Sequence, residues 1–253
     1  MPEFIEKPHL PEGKVKLLIA GESYQKKLAQ PLEKLGISVL WMPYNTSVDP
    51  RVAGHVDLSL VHLGGNRLVA CKELTGSNIF VNYLTNRGAE LIFSLEELGL
   101  EYPADARLNV CIFGNYLIKN EKHAERLISE LRPDLSIIDV KQGYTKCSIC
   151  VVDSESIITS DNDIAAKARA SGINVLLIRP GHISLPGYDT GFIGGSAFKI
   201  AAGSLAFTGR LDGHPDEEKI LEFLSGRNIE PVFLTDEPVF DIGSAIPLFE
   251  EYN

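Results

Sequence analysis

The residues best suited to chemistry lie in one stretch, Val175–Ser196, which carries a histidine and an aspartate between two apolar segments. An apolar run ends at an Arg-Pro-Gly sequence, and His182 follows at once. Asp189 comes after a Pro-Gly turn, and the stretch closes with small residues that include Gly194-Gly195. A rigid strand with a polar tip, followed by glycines, can deliver a His and an Asp to a site that a backbone also approaches closely.

Cys147 is the thiol whose neighbours could make it reactive. Lys146 precedes it, and an adjacent ammonium lowers a thiol pKa and raises the fraction of the nucleophilic thiolate. The alternative is that Cys147 packs as a small hydrophobe, as buried free cysteines do. Cys150 lies three residues further on, but positions three apart on a strand face opposite sides, and no second pair of Cys or His completes a tetrahedral site. We therefore expect no metal and no cofactor.

Other candidate residues lie beside glycines or near the C-terminus. His62 stands next to Gly64-Gly65, where the missing side chains would let a ligand approach. Asp189 and Asp241 could orient a histidine or bind a cation, although aspartates at such places also cap turns. The remaining histidines and cysteines that we assign are expected on the surface (His9, His55, His123) or in the core (Cys71, Cys111).

Composition and charge argue against several classes of function. The chain has 253 residues and a net charge of −10, and it shows no cluster of Lys and Arg that could neutralise phosphates, so we expect no nucleic-acid partner. Four cysteines in a chain this long do not indicate a disulfide framework. No apolar segment resembles a signal peptide or approaches the length of a membrane span. These features predict a cytoplasmic protein that does not bind membranes.

The elements that must position these residues recur along the chain. A capped helix, an apolar strand and a second, glycine-bearing strand follow one another five times, and the first strands begin near positions 37, 89, 135, 173 and 229. This spacing falls in the range of repeat architectures. An additional strand, Lys14–Ala20, has no helix before it. It could pair into the last unit and so join the two ends of a closed ring.

The alternative organisation is a doubly wound α/β sheet, in which strands and helices also alternate. Against it, two strands rather than one follow each helix, and Ala20–Ser23 after the first strand lacks the Gly-x-Gly phosphate fingerprint. We therefore predict an α/β fold in which five helix–strand–strand units form one closed ring. Five units leave no room for a second domain, so residues 1–253 are predicted to be a single domain with an irregular N-terminal arm over 1–13.

A fivefold ring of such units resembles the pentein fold, an α/β-propeller found in the guanidine-group-modifying enzymes. These include arginine deiminase, dimethylarginine hydrolase, agmatine deiminase and the amidinotransferases. Gly181–Ser184 resembles the segment that bears the family's general acid/base histidine, and His62–Asn66 resembles its acidic-Gly-Gly-Asp segment. Gln142–Ser148 and Gly187–Ser196 look like a bacterial branch of this fold to which no activity is assigned.

The sequence departs from the pattern of these enzymes at two places. Their nucleophilic cysteine lies in the last unit, near the C-terminus, whereas Phe240–Leu248 contains no cysteine. Their guanidinium-binding carboxylates in the Gly-Gly segment are replaced here by His62 and Asn66. Neither the nucleophile nor the group that binds the cation can therefore be assigned by position.

The resemblance implies an enzyme that acts on a small guanidino, ureido or amide substrate. Cys147 would attack the electrophilic carbon, and His182 would protonate the leaving amine and then activate water. Asp189 completes the predicted catalytic group. The predicted substrate-binding residues are His62, Asn66, Arg67, Asp241 and Ser244.

The alternative is a ring that has lost the chemistry and binds a ligand or a protein partner. The two functions differ in one structural expectation. In the enzyme, the side chains at 62, 66, 147, 182 and 189 should converge at one end of a central channel lined by the second strands. We leave open whether the chain forms a homo-oligomer.

Overall fold

The computed structural model describes residues 2–252, so Met1 and Asn253, the two ends of the predicted domain, lie outside the described residues. The helices are α1 (Gln25–Lys34), α2 (Asn78–Thr85), α3 (Arg126–Leu131), α4 (Thr145–Ser148), α5 (Asn162–Ala170) and α6 (Glu217–Ser225). The strands are β1 (Glu3–Phe4), β2 (Lys14–Gly21), β3 (Ser38–Met42), β4 (Leu60–Gly64), β5 (Arg67–Ala70), β6 (Glu90–Phe93), β7 (Cys111–Phe113), β8 (Tyr116–Lys119), β9 (Ser136–Asp139), β10 (Cys150–Asp153), β11 (Ser156–Thr159), β12 (Asn174–Leu177), β13 (Ala197–Ala201), β14 (Ser204–Phe207), β15 (Glu230–Phe233) and β16 (Ile246–Glu251). No helix within this range is long and apolar enough to cross a membrane.

One pattern of strand pairing is found in three separate sheets. Two antiparallel strands form a hairpin, a helix follows, and a third strand then pairs in parallel with the second strand of the hairpin. These sheets are β4-β5-β6, β7-β8-β9 and β10-β11-β12, connected through α2, α3 and α5 respectively. Parallel neighbours need such a crossover, and a helix provides it.

A seven-stranded sheet contains the same pattern twice and joins the two ends of the chain. In its first part, β13 and β14 form the hairpin and β15 pairs in parallel with β14. In its second part, β16 pairs antiparallel with β2, and β2 pairs in parallel with β3 across α1. The strand expected at Lys14–Ala20 therefore pairs with the C-terminal strand, as the sequence predicted. Closure of the five parts into a ring stays a prediction.

The second strand predicted for each unit is in fact a hairpin wherever the sequence showed a glycine-broken run. Gly64 and Gly65 have φ values of +105° and +57°, and the chain reverses there between β4 and β5. Gly114, at φ +52°, lies in the corresponding turn between β7 and β8. Glycine adopts these left-handed conformations without the strain that a Cβ would cause. A run that reads as one interrupted strand is therefore two strands.

Burial separates the hairpin strands from the third strand of each sheet. β4, β5, β10 and β11 are almost entirely buried, whereas β6 and β12 are exposed at their first residue and only partly buried afterwards. The hairpins thus form the interior, and the segments that lead into them end deep in the molecule. The arm predicted to be irregular is partly ordered, since β1 pairs with β16 and Ile5 is fully buried.

Candidate active site

A cavity of about 140 Å³ lies in the interior, beside the segments that lead into several hairpins. Its walls are mainly apolar and aromatic, and they are formed by Val52, Leu58, Tyr144, Leu185, Tyr188 and Phe192. Its polar lining consists of His55, Cys147, Thr190 and Asp241. A mostly apolar cavity with a few convergent polar groups is the usual form of a small-molecule site.

Cys147 and Asp57 form a hydrogen-bonded pair beside this cavity. The thiol of Cys147 donates to Oδ2 of Asp57 with an Sγ–O distance of 2.9 Å, and both residues are only 3% exposed. Asn109 holds the pair from the other side, because its Nδ2 lies 3.2 Å from Sγ and its Oδ1 accepts from the Cys147 amide at 3.1 Å. The thiol is therefore held in one position against a carboxylate.

Asp57, Asn109 and Cys147 occupy corresponding positions in three sheets, each shortly before the first strand of a hairpin. Asp57 lies in a 3-10 turn three residues before β4, and Cys147 lies in the short helix α4 three residues before β10. Asn109 precedes β7 by two residues. Because each buried hairpin begins in the interior, the residues just before it meet there, although 90 positions separate Asp57 from Cys147.

Burial changes the acid–base properties of this pair. Loss of water contact raises the pKa of Asp57 from 3.8 to about 7, although the ammonium of Lys146 and the hydrogen bond from Cys147 partly oppose the rise. Burial also raises the pKa of Cys147 well above its ordinary value, and the neighbouring carboxyls of Asp57 and Asp241 add to the effect. A carboxyl that titrates near neutral pH can act as a general base.

The predicted effect of Lys146 on the thiol is wrong. The Lys146 ammonium donates to the carbonyl of Gly194 at 3.0 Å and to the hydroxyl of Ser244 at 2.9 Å, and both hydrogen bonds are buried. It thus binds other partners, whereas burial and, after it, the two carboxyls raise the pKa of Cys147. The resting form of Cys147 is a neutral thiol.

Asp241 and His55 complete the polar wall of the cavity. Asp241 accepts from the amides of Phe192 and Gly243, each at 2.8 Å, and is 1% exposed. A Cβ on Gly195 would lie 1.9 Å from Oδ1 of Asp241, which is why only glycine fits there. Nε2 of His55 is 3.1 Å from the Tyr24 hydroxyl, and burial lowers the pKa of this histidine, so its imidazole is neutral.

His55, Asp57 and Cys147 also have the spacing of a metal-binding group. One side-chain donor atom from each lies within 4.8 Å of the others. A nitrogen, a carboxylate oxygen and a sulfur are ligands that zinc accepts. The same closeness is required of a nucleophile, its base and a histidine, so this spacing could serve either chemistry.

The structure brings some of the predicted site residues together and leaves others apart. Cys147 and Asp241 line the cavity, and Ser244 lies behind it, bonded to Lys146. His62 is buried nearby and lines a smaller cavity, together with Asp57, Lys146 and Ser244. The predicted convergence of all five side chains is therefore not found.

Four predicted site residues lie outside both cavities. His182 is exposed, with its ring 5.4 Å from that of His214, and Asp189 is exposed in the following loop. Asn66 is exposed and donates to the Gly88 carbonyl, and Arg67 pairs with Glu90. The physical reason is their place in the fold. Residues 66 and 67 follow the hairpin turn, at the end of β4 opposite Asp57, and residues 182 and 189 follow the partly exposed strand β12.

Sequence reasoning missed His55, Asp57 and Asn109, and it placed His55 on the surface, whereas His55 is 3% exposed. One signal was available. Asp57 stands three residues before its hairpin, as Cys147 does before its own. Aligning the repeated units on the first strands of their hairpins would therefore have placed Asp57 and Cys147 at the same position. Asp57 lies in the apolar sequence Val56–Leu63, which reads as a strand interior.

The family model for "Family of unknown function (DUF6873)" matches residues 19–246, which include every residue of the cavity. The chain belongs to the DUF6873 family. No curated protein matches the sequence.

Solved structures show what fold this DUF6873 chain has. It is similar to the amidinotransferase SxtG of the saxitoxin biosynthetic pathway from Microseira wollei, with a TM-score of 0.60, 8% identity and coverage of 100% of this chain and 98% of that one. The inosamine-phosphate amidinotransferase of Streptomyces griseus is similar with a TM-score of 0.56 and 10% identity, over 97% of this chain and 97% of that one. The substrate-bound agmatine deiminase of C. jejuni is similar with a TM-score of 0.56 and 10% identity, over 100% of this chain and 97% of that one. The chain shares the pentein-type fold of these guanidine-modifying enzymes, as its sequence suggested.

Proposed function

We propose that this protein is a thiol-dependent enzyme of the guanidine-modifying type, a hydrolase or a transferase acting on a small guanidino, ureido or amide substrate. The observation that carries the proposal is the 2.9 Å hydrogen bond from the Cys147 thiol to Asp57 at the wall of a cavity. A nucleophile within hydrogen-bond reach of a base is the signature of covalent catalysis.

The cavity favours a small planar cation. Two buried carboxyls, Asp57 and Asp241, lie beside it, and Arg and Lys are missing from its described lining. The rings of Tyr144 and Phe192, 6.3 Å apart, supply aromatic faces against which a flat, delocalised cation packs well. A volume of about 140 Å³ limits the part of the substrate that enters to a few heavy atoms.

The substrate's own charge would activate the nucleophile. The carboxyls of Asp57 and Asp241 oppose ionisation of Cys147. A cation bound between them and the sulfur offsets this repulsion and favours the thiolate. The thiol proton moves along the existing hydrogen bond to Asp57, whose pKa of about 7 suits a group that must both take and return a proton.

The chemical steps then balance within the site. The sulfur bonds to the central carbon of the substrate, the bond from that carbon to the leaving amine breaks, and the amine departs with the proton held by Asp57. Water in a hydrolase, or an acceptor amine in a transferase, attacks the carbon now bound to sulfur, which is a thiouronium carbon for a guanidino substrate and an S-acyl carbon for a ureido or amide substrate. His55 takes the proton of that second nucleophile, the carbon–sulfur bond breaks, and the proton returns to the thiolate. We assign the acid/base role to His55 because it lines the cavity, whereas His182 does not.

We also propose that the five parts of the fold form a single-domain closed ring around this site. The pairing of β16 with β2 supports closure, because it joins the two ends of the chain in one sheet. The meeting of Asp57, Asn109 and Cys147 supports it as well, since they precede hairpins of three different sheets. The enzyme would act in the cytoplasm on a small-molecule substrate, without a nucleic-acid or membrane partner.

One observation favours a second function, a binding module without chemistry. Burial and the two neighbouring carboxyls keep Cys147 in its thiol form in the unliganded protein. A cavity with this lining would still bind a small cation, even if the sulfur never attacked it.

Alkylation separates the two functions. A halo-amidine reagent places a planar cation next to an electrophilic carbon, and iodoacetamide is its neutral counterpart. In the enzyme, native protein at pH 7 should react with the halo-amidine at Cys147 faster than at the buried Cys71 and Cys111, as shown by peptide mapping. Cys111→Ser should not change this rate, and Cys147→Ser should abolish it. If Cys147 reacts no faster than Cys71 and Cys111, the binding module remains.

A further inference from the structure

A second, much smaller cavity lies behind the Cys147–Asp57 pair. Its volume is about 10 Å³, the size needed for one water molecule. His62, Asp57, Lys146 and Ser244 contribute polar groups to its lining, and His9 from the N-terminal arm closes it on one side. The Asp57 carboxyl therefore stands between the two cavities, with the thiol on one side and this pocket on the other.

Two buried polar atoms, on residues that line this pocket, have no hydrogen-bond partner among residues 2–252. They are Oδ1 of Asp57 and Nδ1 of His62, and their residues are 3% and 1% exposed. Leaving such an atom without a hydrogen bond costs about 1–3 kcal/mol, and buried polar groups in proteins are almost always paired. Two unpaired acceptors that share one water-sized cavity point to a common donor.

The protonation of His62 is fixed by its other nitrogen. Nε2 lies 2.8 Å from the carbonyl of Gly65, which can only accept, so Nε2 carries the proton and Nδ1 is a lone-pair acceptor. Burial lowers the pKa of His62 to about 4, which keeps the ring neutral. Lys146 uses two of its three N–H donors, on Gly194 and Ser244, and it also lines the pocket.

We propose that this pocket binds one internal water molecule, and that His62 acts through that water as a positioning residue for Asp57. The water donates one hydrogen to Nδ1 of His62 and the other to Oδ1 of Asp57, and it accepts from Lys146. Three partners are what a buried water normally has. Both orphan atoms are then satisfied, and Oδ2 of Asp57 remains free for the thiol. This inference deepens the proposed function and rests on it.

The arrangement has a consequence for acid–base behaviour. A hydrogen bond that is donated to a carboxylate favours its charged form. The ionisable groups near Asp57 are His9, Tyr24, His55, His62, Lys146, Cys147 and Asp241. Of these, His62 has an unpaired acceptor, Nδ1, and it lines the same pocket as the unpaired Oδ1 of Asp57.

A crystal structure of the wild-type protein tests the water directly. We expect density for a single water within hydrogen-bond distance of His62 Nδ1, Asp57 Oδ1 and Lys146 Nζ. An empty pocket, or His62 rotated to bond elsewhere, would overturn the proposal whatever the protein's activity.

The pH profile of Cys147 alkylation tests the positioning role. In wild type, alkylation should fall as Asp57 becomes protonated. His62→Leu removes the acceptor, so the midpoint of this fall should move up by about one pH unit, the scale of one hydrogen bond to a charged group. His62→Gln, which keeps an acceptor, should restore most of the shift. His123→Leu, a matched change outside both cavities, should leave the profile unchanged.

The outcomes distinguish this inference from the proposed function. Suppose that Cys147 reacts and that Asp57→Asn removes the fall in alkylation at low pH. If His62→Leu then leaves the midpoint of that fall unchanged, the positioning role of His62 is wrong, whereas the proposed enzyme function stands. If wild-type Cys147 does not react at all, the proposed function fails. The crystal structure alone then shows whether the pocket binds the water. If His62→Leu does not fold, the wild-type crystal structure still decides whether the pocket holds the water between His62 and Asp57.

Discussion

Asp57→Asn should make the protein more stable in alkaline solution, although it removes the proposed base. Asn has almost the same shape as Asp, so the packing beside Cys147 is retained, and the buried charge is lost. The pKa of Asp57 is 3.8 in the unfolded chain and about 7 in the folded protein. The folded state therefore holds a proton that the unfolded state releases, so the free energy of unfolding falls as pH rises between these values.

The size of the effect follows from the same two values. Above pH 7 the charged carboxyl costs the folded state about 4 kcal/mol, because each pKa unit corresponds to 1.36 kcal/mol. At pH 5 only about 1.7 kcal/mol of this cost is present. The stability difference between Asp57→Asn and wild type should thus grow by about 3 kcal/mol between pH 5 and pH 8.

Urea denaturation of both proteins at a series of pH values measures this difference. Comparing the variant with wild type at each pH cancels the other titrating groups to first order. Asp163→Asn, at a partly exposed carboxyl on α5, serves as a control that should show no such gain above pH 7. A difference for Asp57→Asn that does not change with pH would refute the buried charge, and with it the argument that Asp57 titrates near neutrality.

Three further changes should give distinct results. His55→Ala should slow turnover by 100-fold or more with little change in halo-amidine labelling, whereas His182→Ala should leave both within twofold, as measured by steady-state kinetics and peptide mapping. Gly195→Ala should abolish binding of small cations in calorimetry and lower stability by roughly 2 kcal/mol or more, because its Cβ would lie 1.9 Å from Asp241 Oδ1. Treatment with a chelator should leave alkylation of Cys147 unchanged; a faster reaction after metal removal would show that His55, Asp57 and Cys147 hold an ion instead.

Much of the architecture could be predicted because its signals are local. Apolar runs that begin after a helix ended by a glycine, or by Pro133 in the third unit, gave first strands near 37, 89, 135, 173 and 229, and the observed strands begin at 38, 90, 136, 174 and 230. The pairing of the Lys14–Ala20 strand with the C-terminal strand followed from the need to cover a sheet edge. The hairpins were missed because a tight turn, such as Gly64-Gly65 or Gly114-Asn115, looks like an irregularity within one strand.

The site was harder to predict because its chemistry depends on contacts between distant segments. Cys147 was chosen from its residue type and its neighbour Lys146, but the proposed base, Asp57, is 90 positions away in an apolar sequence. His182 follows a strand and a turn, as the resemblance required, yet that strand is the partly exposed third strand of its sheet, so the histidine points away from the interior. Burial, rather than neighbours in sequence, sets the pKa of Cys147, and burial is a property of the fold.

The central claim, that Cys147 attacks the carbon of a small guanidine-type substrate, is tested most directly by trapping the intermediate. Wild-type protein is mixed with a panel of small guanidino and ureido compounds, quenched in acid within seconds, digested and analysed by mass spectrometry. The proposed mechanism predicts an added amidino or carbamoyl mass on the peptide that contains Cys147, accumulating in His55→Ala and missing from Cys147→Ser. Turnover of any of these compounds by Cys147→Ser at the wild-type rate, or binding with neither adduct nor product, would contradict it.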